Sequence, residues 1–142
     1  MEIKIKKLNP RAIIPTRGSE DAAGYDLYST ENVAIFPGMS YKAHTDIALE
    51  IPVGYFGAIF ARSGLSTKRG LRPANCVGII DPDYRGEILV PLYNDSNCCQ
   101  EIKAGERIAQ LIILPYQSIL FTEVDELNNS KRDNGGFGSS GK

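Results

Sequence analysis

What most narrows the fold of this chain is a recurrence of short apolar or alternating runs separated by turn-forming residues. The runs read IKIKKL, VAIF, YKAHTDIALEI, YFGAIF, VGII, EILVPLY, RIAQLIIL and ILFTEV. Val, Ile, Tyr and Phe dominate them, and such side chains fit a pleated, half-buried surface better than a helix. The intervals between them hold most of the 14 glycines and 8 prolines. That punctuation predicts an all-β sandwich or barrel. VGII followed by EILVPLY reads as a β-hairpin, with Asp-Pro-Asp as its turn. ILFTEV, although followed by residues able to make a helical turn, is read as a strand from its β-branched and aromatic content. Apolar patterning stops near Asn128, so the expected organisation is a β body over residues 1–130 and a flexible arm over residues 131–142.

A chain of 142 residues suits one domain able to bury about two thirds of the surface it exposes when unfolded. Its net charge of −1 gives no electrostatic reason to expect a nucleic acid or a membrane as partner. No signal peptide opens the sequence, and no stretch approaches the roughly 18 apolar residues of a membrane span. An intracellular, cytoplasmic protein is expected, with a nuclear or organellar address left open for a eukaryotic or viral source. Cys76, Cys98 and Cys99 are odd in number and read as free thiols. His44 is the one histidine of the chain, which excludes two-histidine metal sites and weighs against serine or cysteine triads. It is expected to play a structural or solvent-facing part. Any catalysis then falls to carboxylates, arginines and a hard cation.

Candidate residues form clusters. NCVGIIDPDYRGE holds Asp81, Asp83, Tyr84, Arg85 and Glu87, and a carboxylate at a strand end beside a tyrosine can orient and deprotonate a water. Turn chemistry alone accounts for the proline and one aspartate. FARSGLSTKRG places Arg62, Ser63 and Gly64 in a glycine-bearing turn that suits a phosphate. EDAAGYDLYS sets Asp26 where it can reach a cation through water, or stand as an exposed strand-end acid. KAGERIAQLII puts Gln110 in an otherwise apolar strand, where it needs a partner if buried. The last seven residues spell G-x-x-x-x-G-K, yet the strand, helix and Ser/Thr of a nucleotide-binding P-loop are missing. With Phe137 and Arg132, that tail reads instead as a lid for something flat and phosphorylated.

Taken in order, AAGYDL, RSGLS, VGIIDPDYRGE, GERIAQLI and RDNGGFGSSG resemble the five motifs of the trimeric deoxyuridine triphosphatases, the dUTPases. The resemblance runs from about Glu20 to Lys142. It implies a distorted β-strand jelly-roll, a homotrimer with sites between subunits, dUTP as substrate and Mg2+ as cofactor. By the same resemblance, Asp81 is the general base for water attack on the α-phosphorus, releasing dUMP and pyrophosphate. Asp26 meets the magnesium through water. Arg62, Ser63, Gly64 and Gln110 match phosphate-site positions. Asn75, Val77, Gly78 and Ile79 match the main-chain frame that pairs with uracil and excludes a thymine methyl, and Tyr84 packs under the deoxyribose and excludes a ribose. From a neighbouring subunit's arm, Phe137 stacks on the base while Arg132, Gly138 and Ser139 hold the outer phosphates.

Three departures set the chain apart from the family's habit. Ala61 stands where proline is common, Asp133 and Asn134 replace a small Gly-Ser type pair, and Ser140 replaces a threonine. Asp133 is expected to weaken the pull of Arg132 on the γ-phosphate. Competing expectations are a dCTP deaminase on the same fold, a nucleotide-sensing module without turnover, and a purely structural β-trimer.

Overall fold

Alternation along the chain becomes antiparallel pairing in space. In the computed structural model, which describes residues 1–136, the strands are β1 (Lys4–Lys7), β2 (Thr16–Arg17), β3 (Tyr25–Tyr28), β4 (Val33–Ile35), β5 (Ser40–His44), β6 (Ile47–Glu50) and β7 (Tyr55–Phe60). A short helix α1 (Ser63–Arg69) follows, then β8 (Leu71–Pro73), β9 (Gly78–Ile80), β10 (Leu89–Asn94), β11 (Gln100–Ile102) and β12 (Arg107–Pro115). They assemble into a five-stranded sheet of order β2-β3-β12-β7-β9, a three-stranded sheet β5-β10-β8, and the pairs β1-β6 and β4-β11. All the ladders run antiparallel. The connections cross repeatedly between sheets, which gives the distorted jelly-roll.

The core lies between the sheets. In β10 the alternation is complete, with Val90, Leu92 and Asn94 buried and Leu89, Pro91 and Tyr93 half-buried. Leu27, Ile35, Ile47, Leu71, Ile88, Ile102 and Ile108 fill the same interior. Each such side chain contributes about 1.5–3 kcal/mol on leaving water. Asn94 is a fully buried polar residue among them. Its amide donates to the carbonyls of Ile35 (2.7 Å) and Cys98 (2.8 Å), and its oxygen accepts from the Ser96 amide (2.9 Å) and hydroxyl (2.7 Å). It ties the end of β10 to β4 and to the loop before β11.

Four expectations need correction. YKAHTDIALEI is two strands, because Asp46 turns to φ 53 and the Thr45 hydroxyl leaves the pleat to donate to the Ile88 carbonyl. VGII and EILVPLY do not form a hairpin ladder: β9 pairs with β7, and β10 with β5 and β8. The segment between them is a bridge from one sheet to another. FARSGLSTKRG folds as α1, closed by Gly70 at φ 65, whose N–H caps the Leu65 carbonyl. ILFTEV is not a strand: among the described residues it pairs with none, and Leu120 and Phe121 are 92% and 87% exposed.

Candidate active site

Two groups of the anticipated residues come together at separate places. The first lines a cleft of about 320 Å³ that contains Ile59, Asn75, Gly78, Ile79, Asp81 and Tyr84, a size within the usual range for small-molecule pockets. Its floor is β9, an edge strand bonded to β7 on one side, so the opposite edge offers backbone N–H and C=O groups to a ligand. Gly78 is buried against β7, where a Cβ would stand 3.3 Å from the Cβ of Ile59. Ile79 and Asn75 are exposed into the cleft, and Cys76, at φ 62, turns the chain just before β9. Val77 is half-buried at the entrance to β9. Asp81, one residue beyond the strand, is exposed.

Past Asp81 the chain folds back on itself. The Tyr84 N–H donates to the Asp81 carbonyl (3.2 Å), Arg85 Nη1 donates to the carbonyls of Pro82 (2.6 Å) and Tyr84 (3.0 Å), and the Tyr84 hydroxyl donates to the Glu87 carbonyl (3.0 Å). The Tyr84 ring lies directly over Gly86, where a Cβ would come within 2.6 Å of Cζ.

The second group sits at the other side of the same sheet. Asp26, in β3, is nearly buried and accepts from Arg62 Nε at 2.7 Å on one oxygen and from Arg107 Nη1 at 3.2 Å on the other. It is not the exposed strand-end acid allowed for in the sequence. Arg62 also donates to the Arg107 carbonyl (3.2 Å). Gln110 stands opposite Asp26 in the ladder, and its amide donates to the Ala61 carbonyl (2.8 Å). Ser63 and Gly64 form the first turn of α1, where backbone N–H groups lack intrahelical acceptors; an anion would meet a helix start there and not a loop nest.

A β-bulge makes this cluster possible. Arg107 pairs with Tyr28 and Gln110 with Asp26, three steps along β12 against two along β3. Ile108 and Ala109 are consequently both buried. In a regular strand, residues three apart such as Arg107 and Gln110 point to opposite faces; the bulge absorbs one residue and brings both to the face of Asp26. Sequence reading passed over Arg107, although GERIAQ contains it, because a bulge cannot be seen in an apolar run.

From Asp26 to Gly78 there are three strand spacings, roughly 14 Å, and neither Arg62 nor Gln110 lines the cleft of Asp81. The arm contributes a turn in which Arg132 Nε donates to the Gly135 carbonyl (2.8 Å) and Asp133 adopts φ 46. Phe137, Gly138, Ser139 and Ser140 lie outside the described residues. Among the described residues, no helix is long and apolar enough to cross a membrane.

The Asp26 carboxylate spends one lone pair of each oxygen on an arginine, which leaves room for a bound water but no open carboxylate for direct coordination. That donor set fits a magnesium ion carried chiefly by a ligand's phosphates and touched through water.

Comparison with known proteins gives a consistent picture. The dUTPase family model matches residues 10–141. The deoxyuridine 5'-triphosphate nucleotidohydrolase of Nautilia profundicola is 50% identical over 142 residues, covering all of both chains. The Staphylococcus bacteriophage 80alpha dUTPase with dUpNHpp superimposes with a TM-score of 0.92 at 32% identity, over 99% of each chain. A variant dUTPase from phage phi11 of S. aureus, whose structure details the coordination of a structural Mg(II) ion, gives 0.84 at 26% identity over 91% of this chain and all of its own. With five ordered motifs, a jelly-roll body and full-length relatives in agreement, the chain belongs to the dUTPase family.

Proposed function

We propose that this protein hydrolyses dUTP to dUMP and pyrophosphate, at sites that neighbouring copies complete within a homotrimer. Such an activity limits uracil entry into DNA and supplies dUMP for thymidylate synthesis. The observation that carries the reading is the cleft over β9: a free strand edge beside Asp81 and Tyr84. Uracil presents acceptor, donor and acceptor along one edge, which suits main-chain groups at Asn75 to Ile79. A frame of backbone has little give, so the methyl of thymine is rejected sterically. Tyr84, folded under the sugar, rejects a ribose 2′-hydroxyl in the same way.

Asp81 accepts the proton of the attacking water. As the new oxygen bond to the α-phosphorus forms, the bridging bond to the β-phosphate breaks and pyrophosphate leaves. Arg62, Ser63, Gly64 and Gln110 bind the phosphates, and Arg132, Phe137, Gly138 and Ser139 close over the nucleotide from the arm. Asp26 touches the magnesium through water; when bound, the ion neutralises charge on the phosphate oxygens. The chain's share of the rate enhancement is positioning and fixed positive charge.

Two features support association between copies. The phosphate-binding group and the Asp81 cleft are separate within one chain, at opposite sides of the five-stranded sheet, and neither Arg62 nor Gln110 lines that cleft. The segment after β12 also leaves Ile119, Leu120, Phe121 and Leu127 largely exposed, more apolar surface than a solitary chain comfortably presents to water.

The deciding experiment is pyrophosphate release with magnesium from dUTP, UTP, dTTP and dCTP in parallel, with Asp81→Asn as control. Release from dUTP alone, reduced roughly 10²- to 10⁴-fold in the variant as expected for loss of a general base, supports the reading. Ammonia release from dCTP points to a deaminase, and dUTP binding without turnover to a sensing module.

A further inference from the structure

The histidine of this chain stands outside the machinery described so far, yet it touches the loop that carries Asp81. His44 ends β5 with its ring 47% exposed and Nδ1 at 3.0 and 3.1 Å from the two carboxylate oxygens of Glu87. Glu87 also accepts the backbone N–H of Asp46 at 2.9 Å. Its own carbonyl takes the Tyr84 hydroxyl, and its side chain lines the same cleft as Asp81. One residue thus joins the corner between β5 and β6, the Tyr84 ring and the cleft wall.

The corner itself is firmly built. Thr30 donates its hydroxyl to the Asp46 carboxylate (2.6 Å), Glu31 accepts the His44 N–H (3.1 Å), and the Ile88 N–H donates to the Ile47 carbonyl (2.8 Å). The loop is not: Asp81, Asp83, Tyr84 and Arg85 are all exposed, and the side-chain contacts of Tyr84 and Arg85 are local to the bridge. At its far end the bridge is referenced to the body through Glu87 and Ile88.

We propose that Glu87 is a positioning residue for the nucleotide cleft, and that His44 is the latch that holds it, keeping Tyr84 and Asp81 at the geometry a bound nucleotide requires. The inference rests on the reading of Asp81 and Tyr84 given above. The groups facing the imidazole are the carboxylates of Glu87, Glu31 and Asp46, while Lys42 projects from the same face of β5, paired with Pro91 at the cleft wall. The hydrogen bond to Glu87 raises the His44 pKa above its ordinary 6.5, the fields of Glu87, Glu31 and Asp46 add to it, and desolvation opposes. A raised folded value means that the charged latch is fully present below about pH 6.5 and is lost as pH rises through the folded pKa. Above that, the ring retains only a neutral N–H donor.

The test is steady-state kinetics on dUTP and UTP from about pH 6 to pH 9, for the parent, His44→Gln, Glu87→Gln, Glu87→Ala and Asp81→Asn. His44→Gln keeps a donor that does not titrate. The ratio of its KM for dUTP to that of the parent is expected to be roughly two to five at low pH, the span of an exposed ion pair, and to fall to about one at high pH, with kcat little changed. Glu87→Ala should raise KM further, by about tenfold, and narrow the preference for dUTP over UTP, with Glu87→Gln in between. If the His44 and Glu87 variants match the parent in KM and in substrate preference at every pH while Asp81→Asn is inactive, the latch is overturned and the site reading stands. Turnover retained by Asp81→Asn would overturn the site reading itself, and this inference with it.

Discussion

Gly86→Ala isolates what the Tyr84 ring contributes. Gly86 is absent from the positive-φ glycines, which are Gly38, Gly54, Gly70 and Gly105 among the described residues, so alanine meets no backbone penalty. Its Cβ, however, would stand 2.6 Å from Cζ of Tyr84 and 3.0 Å from Cε2. Carbon atoms settle at about 3.5–4.0 Å, so the ring must retreat by roughly 1 Å. Tyr84 is 43% exposed, which lets it swing toward solvent without unfolding the loop. The cost to stability is then chiefly the hydrogen bond to the Glu87 carbonyl, about 0.5–1.5 kcal/mol, or a few degrees of Tm at about 2–4 °C per kcal/mol. A displacement of about 1 Å at a substrate-positioning group costs on the order of 10²-fold in rate. The expected outcome is therefore a fall of roughly 10- to 100-fold in kcat/KM for dUTP with a melting temperature lowered by no more than a few degrees, together with weaker discrimination against UTP. Parent-like kcat/KM and an unchanged preference for dUTP would refute the assignment of Tyr84 to the sugar.

Asn94→Ala should destabilise the fold by about 2–4 kcal/mol, because it strands the buried Ile35 carbonyl and deprives the half-buried Ser96 of its acceptor; a denaturation series showing less than about 1 kcal/mol would mean that water replaces the amide. Truncation after Ser130 is expected to abolish efficient hydrolysis while leaving the melting temperature and assembly mass almost intact, and a large drop in melting temperature would show that the arm belongs to the core. Asp133→Gly should lower KM for dUTP, since it removes a carboxylate next to Arg132 and relieves a φ of 46 that suits glycine. An unchanged KM contradicts that account.

Legibility in the sequence followed the range of the forces involved. β7 and β12 were visible because their hydrophobic patterning is local. The split between β5 and β6 was not, since it depends on Thr45 bonding to Ile88, 43 positions away. The bridge after β9 looked like a hairpin because Asp-Pro-Asp encodes a turn but not the identity of the next strand's partner. Helix α1 carried a readable stop, Lys68-Arg69 followed by Gly70, which the neighbouring Arg-Ser-Gly drew attention away from. At the site, the motifs named Asp26, Arg62 and Gln110, but only the fold reveals Arg107 as the second guanidinium on Asp26. The pairing of His44 with Glu87 was likewise out of reach, for it depends on β10 lying beside β5, which joins residues 43 positions apart.

The bulge in β12 bears on how this chain can change over evolutionary time. Insertions or deletions in the turn at Lys103–Gly105 would lengthen or shorten an exposed connection, the kind of change that surface loops absorb. Loss of a single residue between Arg107 and Ala109 is different. It would keep Arg107 on the face of Asp26, now two places from Gln110 in a regular ladder, but it would remove the buried Ile108 side chain and the bend that the bulge puts into β12. A one-residue loss farther along, between Gln110 and Pro115, has no bulge to absorb it: it would turn one end of β12 to the opposite face, and no substitution elsewhere in the strand restores that parity.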